Sequence, residues 1–79
     1  MNCSVISSSG QVLSTGQLFI EEDEEGDLRL SYRSTNGTII SGGKIDNDGS
    51  LETASKELFR EFSRSWRVTG ITLMSQSLW

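Results

Sequence analysis

Leu28-Arg29-Leu30-Ser31-Tyr32-Arg33-Ser34-Thr35-Asn36-Gly37-Thr38-Ile39-Ile40 decides the fold class of this chain. Leu28, Leu30 and Tyr32 alternate with Arg29, Ser31 and Arg33, the period of two that sends a strand's apolar side chains to one face. Asn36-Gly37 then marks a hairpin, because both residue types tolerate the positive φ of a two-residue type I′ turn. The chain returns through Ile39, Ile40 and Ile45, with Gly42-Gly43 between them. An antiparallel hairpin is the expected nucleus of the structure.

On the N-terminal side, Gln11–Glu22 carries Val12, Leu13, Leu18, Phe19 and Ile20. Thr15-Gly16 in its middle predicts a bulge or a break. Before it, Cys3–Ser8 reads as a strand closed by Ser9-Gly10, and Asp23–Gly26 reads as a tight turn. On the C-terminal side, Asp46-Asn47-Asp48-Gly49 is loop and Ser50 has the chemistry of a helix N-cap. From Leu51 to about Ser65 the period becomes helical. Leu51, Ala54, Leu58 and Phe62 share one face, which Phe59 and Trp66 widen. Ile71–Ser77 alternates again as a last strand. The expected fold is α+β: a small antiparallel β-meander of three or four strands, one α-helix on one face and a final strand, in the order β-β-β-(β)-α-β. Residues 1–79 make a single small domain.

Leu, Ile, Val and Phe make up 20 of the 79 residues. That is about a quarter, above the roughly 20% below which chains stay disordered. A domain this small buries only about 60–65% of its unfolded surface, which leaves no room for a large enclosed active site. Cys3 is the only cysteine, so no intrachain disulfide staples the core. No apolar run reaches the length of a membrane span, and the N-terminus lacks the basic start and apolar stretch of a secretory signal. A cytoplasmic protein is expected, with Asn2-Cys3-Ser4 and Asn36-Gly37-Thr38 as chance matches to the glycosylation pattern.

Catalysis finds little support. The chain has no histidine, so its serines lack the usual base and most acid–base and metal chemistry lacks its usual donor. Ser41-Gly42-Gly43-Lys44 lacks the first glycine and the following Ser or Thr of a phosphate-binding loop. Asp46-Asn47-Asp48-Gly49-Ser50-Leu51-Glu52 resembles part of a calcium-binding EF-hand loop. However, Lys44 falls on its first ligand position and Ser55 on its last, where glutamate is needed. We therefore expect no enzyme, no cofactor and no metal.

The formal charge is −4 and unevenly placed, with five consecutive acids from Glu21 to Glu25. Held on a hairpin tip, Glu21, Glu22, Asp23, Glu24, Glu25 and Asp27 form a candidate surface for a cationic protein partner. In being small, acidic and poor in cysteine, the chain resembles phage-encoded inhibitors, among them anti-CRISPR and other DNA-mimicking proteins. The likeness is one of composition. It implies an inhibitor or adaptor that binds a protein through the acidic hairpin and a sheet edge.

Two other readings compete with this one. Lys56, Arg60, Arg64 and Arg67 align along the predicted helix as a basic stripe, with Arg29 and Arg33 in support if the sheet face adjoins it. Glu52–Lys56, Glu57–Arg60 and Glu61–Arg64 pairs would make the same stripe an ordinary solvated face. Sheets of three strands with one helix resemble in architecture the arm-binding domains of some integrases, which insert sheet residues into a DNA groove. The third reading is a homo-oligomeric subunit joined by free sheet edges and the Leu78-Trp79 tail, with Trp79 as the candidate anchor. No membrane partner is expected.

Overall fold

Leu30 and Tyr32 are buried in β3 (Leu28–Ser34), which has neighbours on both sides, whereas Leu28 at its start is exposed and Ser31 on the other face is buried. The computed structural model describes residues 2–68 and 70–75. Around β3 stand β1 (Asn2–Ile6), β2 (Val12–Glu22) and β4 (Ile39–Lys44), followed by α1 (Glu52–Trp66) and β5 (Thr72–Ser75). The sheet has five strands in the order β4-β3-β2-β1-β5, and every described pairing is antiparallel. The α+β meander with one helix is therefore the architecture. α1 carries the chain from the β4 edge of the sheet to the β5 edge.

The pairing register sorts the two faces. Tyr32 stands beside Leu18 and Ile40, and Val5 beside Ser14 and Leu73. These side chains share the face under α1. Cys3, Val5, Leu30 and Tyr32 from the sheet and Ala54, Leu58 and Phe62 from the helix form the buried core. Phe62 is fully buried, packs edge-on against Tyr32 at 5.2 Å between ring centroids and lies 5.5 Å from Trp66. Burying one such side chain contributes about 2–3 kcal/mol. The Tyr32 hydroxyl, drawn into the core by its ring, shares a 2.7 Å hydrogen bond with the Ser14 hydroxyl.

α1 rests mainly on β4, and two glycines set its seat. A Cβ on Gly42 would lie 2.4 Å from the Leu30 carbonyl oxygen and 2.9 Å from Leu58 Cβ. Gly42 and Gly43 together stand opposite Leu30, where the β3–β4 register shifts. The opposite face carries Gln17, Phe19, Glu21, Arg29, Ser31 and Arg33, and no described element covers it.

Several local expectations are corrected. β2 runs unbroken through Thr15-Gly16, and the irregularity lies instead between Val5 and Ile6, where Leu13 is the extra residue. Gly16 is required by crowding, since a Cβ there would fall 2.1 Å from the Arg33 carbonyl oxygen. Asn36-Gly37 does not form a type I′ turn, because only Gly37 has positive φ. Ser34 N–H bonds Thr38 O and Gly37 N–H bonds Ser34 O, closing a longer turn. The helix starts one residue late, with Leu51 at the cap position, exposed and outside the apolar face. Ser50 still accepts the Glu52 N–H through its hydroxyl at 3.3 Å.

The β3–β4 turn geometry recurs throughout the chain. Gly10, Gly26, Gly37 and Gly49 each donate to the carbonyl three residues back, namely those of Ser7, Asp23, Ser34 and Asp46. In three of the four, the side chain of that first residue also accepts the N–H four residues on: Gln11 to Ser7, Asp27 to Asp23 and Thr38 to Ser34. Four segments reading Ser or Asp, two residues, then Gly thus share one construction, which includes the loop that resembled an EF-hand.

Candidate functional site

The acidic run divides into carboxylates that build the turn and carboxylates that leave it. Asp23 belongs to the first group. Its Oδ1 accepts the N–H groups of Glu25 and Asp27, each at 2.9 Å, and its Oδ2 accepts Arg29 Nε at 2.9 Å. The Asp27 amide above all, with the Arg29 guanidinium and the Glu25 amide behind it, holds the Asp23 carboxyl below the usual carboxylate range despite some desolvation. Asp27 pairs with Lys44 at 3.0 Å across the sheet edge, which pushes the Lys44 ammonium above its ordinary value. Glu21 accepts a 3.1 Å hydrogen bond from the buried Ser31 hydroxyl.

Glu22, Glu24 and Glu25 are exposed, and their carboxylates hold no hydrogen bond or ion pair among the described residues. Glu24 and Glu25 occupy the two central positions of the turn. The acidic field at this end extends beyond the run itself. In an antiparallel meander, every second connection lies at the same end of the sheet, so the β4–α1 loop returns beside the β2–β3 turn. Asp46 lines a surface groove together with Arg29 and Lys44. Asp46, Asp48 and Glu52 thereby join Glu21–Asp27 at one end of the molecule. Sequence reading missed these three as site residues, although the parity of the strands was enough to place them.

The basic residues do not form one patch. Arg29 and Arg33 project from the sheet face opposite α1. Arg29 is tied to Asp23, while Arg33 lies 5.9 Å over the Phe19 ring and donates to Gln17 at 3.4 Å. On the helix, Lys56 pairs with Glu52 at 3.5 Å and Arg64 with Glu61 at 2.9 Å, both in solvent. Glu57 turns from Arg60 towards β4, where its carboxylate stands against Gly43. Arg60, Arg64 and Arg67 lie towards the C-terminal end of α1, away from the acidic turn. Trp66 is half-buried against Phe62, and the Trp79 anchor lies outside the described residues.

No cluster of three or more His, Cys, Asp or Glu is placed to hold a metal ion among the described residues. No described helix is long and apolar enough to cross a membrane. Burial raises the Cys3 thiol above its usual value. The chain matches no protein-family model, no curated protein and no solved structure.

Proposed function

We propose that this protein is a non-enzymatic binding protein whose acidic end docks on a cationic surface of a protein partner, as an inhibitor or adaptor. The observation that carries this reading is the disposition of Glu22, Glu24 and Glu25. Their carboxylates project from a turn whose geometry is fixed by Asp23, Gly26, Arg29 and backbone N–H groups, so these side chains add nothing to its closure. Charges displayed on a rigid support lose little conformational freedom when a partner closes over them. Asp46, Asp48 and Glu52 widen the same field, and a field of one sign speeds encounter with an oppositely charged surface. A partner groove built for phosphates fits this chemistry, which is the sense in which the chain acts as a DNA mimic.

The test is capture from nuclease-treated lysate of the source organism on immobilised protein, compared with the Glu24→Lys/Glu25→Lys variant. The expected result is a protein retained by the wild type, lost from the variant and displaced by duplex DNA or raised salt. Retention that survives the charge reversal undiminished overturns the acidic-end reading.

A further inference from the structure

At the opposite end of the molecule, an open groove of about 700 Å³ runs between the β1–β2 turn and the C-terminus of α1. Leu13 and Val68 contribute apolar lining, the serine turn 7–9 lines it from one side and Arg64 and Arg67 from the other. No acidic residue lines it. The volume falls within the range of small-ligand sites. Gln11 and Ser63 add to the serines and arginines, so polar side chains outnumber the two apolar ones, and the Ser7 and Ser9 hydroxyls hold each other at 2.8 Å. Arg64 holds Glu61 through one nitrogen at an exposed position. Exposed pairs of this kind are weak, and a guanidinium offers five donors, so Arg64 keeps most of its capacity for an anion. The Arg67 guanidinium has no partner among the described residues.

Arg67 also carries a backbone anomaly. It terminates α1 in the left-handed region, at φ 55 and ψ 43, with its N–H bonded to the Ser63 carbonyl. Every other described residue with positive φ is a glycine. Glycine is what this cap position favours, because a Cβ there crowds the left-handed backbone. The strain argues that the side chain is what the position needs.

We propose that this groove binds a nucleoside phosphate. Arg64, Arg67 and the serine hydroxyls hold the phosphate, and the sugar and base lie over Leu13 and Val68. Guanidinium groups bind phosphate in a forked geometry, which suits a pair of arginines on one side of the groove. A bare phosphate would leave the apolar lining unused. The site is independent of the acidic end and stands or falls without it.

The experiment is titration of the ¹⁵N-labelled protein, followed by NMR, with 5′-AMP, adenosine, inorganic phosphate and the oligonucleotide pentathymidylate. The expected result is movement of the Ser8, Ser9, Ser63, Arg64 and Arg67 amides with 5′-AMP or pentathymidylate, at lower concentration than with adenosine or phosphate. The tighter of the two identifies the source, a free nucleotide or a single strand. Arg67→Gly removes the guanidinium and relieves the strain. It is expected to weaken binding about tenfold, as loss of a charged hydrogen bond does, while Tm stays equal or rises. Arg64→Gln is expected to weaken binding similarly. No amide movement with either 5′-AMP or pentathymidylate overturns the proposal. So does wild-type affinity in Arg67→Gly, or adenosine or phosphate binding as tightly as 5′-AMP.

Discussion

Asp23 shows how a single methylene separates a structural acid from its neighbours. An aspartate carboxylate is short enough to reach the backbone N–H groups two and four residues on, as Asp23 does with Glu25 and Asp27, whereas glutamate overshoots. Five consecutive acids therefore read alike by charge but not by reach, and the first residue of an Asp-x-x-Gly turn was the legible exception. Its role has a pH signature. Because the folded carboxyl ionises below its ordinary value of 3.8, the unfolded chain binds this proton more tightly than the folded one. The stability contributed is present above the unfolded value and is lost as pH falls through the lower folded value. Asp23→Asn removes this dependence. The wild type's Tm is expected to fall more steeply than the variant's on acidification below about pH 4, followed by circular dichroism. Parallel slopes would refute the assignment.

Among the elements, the helix was readable because Ala54, Leu58 and Phe62 are buried as its periodicity requires, and β3 was readable in Leu30 and Tyr32, while Leu28 is exposed and Ser31 buried against the alternation. The glycines were harder to read, since a sequence records that Cβ is absent without saying why. Gly37 serves conformation, with φ 91 and open space around it. Gly42 serves proximity, since its missing Cβ lets α1 approach the sheet over Leu30 and Leu58. The two uses predict different mutational outcomes. Gly42→Ala forces backbone and helix apart and is expected to cost about 1–3 kcal/mol, or roughly 5–20 °C of Tm. Gly37→Asn keeps a residue that tolerates left-handed backbone and is expected to cost less than about 1 kcal/mol. Thermal melts of the two variants decide the point, and equal losses would mean that the seat of α1 on β4 is not limited by Gly42. The turns teach the same lesson: Asn36-Gly37 suggested the shortest hairpin, yet Ser34 and Gly37 close a longer one because Asn36 keeps negative φ.

At the scale of the whole molecule, charge is sorted along the strand direction. Residues 2–20 and 70–75 carry no charged side chain, so β1, β5 and the first part of β2 are neutral. Acids gather at the β2–β3 turn and the β4–α1 loop, and Arg60, Arg64 and Arg67 at the far end of α1. The run of five acids was visible in the sequence, but this polarity required knowing which loops share an end. Crowding so many carboxylates should tax the fold, and salt should relieve it. Like charges near one another on a surface destabilise by a few tenths of a kcal/mol, and screening at high ionic strength removes most of that. Replacing Glu24 and Glu25 by lysine turns repulsion from Glu22 into attraction, against which stand the loss of Glu25's weak pull on Lys44 and a weak repulsion from Lys44 in its place. The Glu24→Lys/Glu25→Lys variant is therefore expected to melt at or roughly 1–3 °C above the wild type in low salt, the difference vanishing near 1 M salt. A variant clearly less stable at low salt would show that these carboxylates hold the fold. A variant equally or more stable means that any loss of partner capture reports on the docking surface, because the scaffold beneath it is intact.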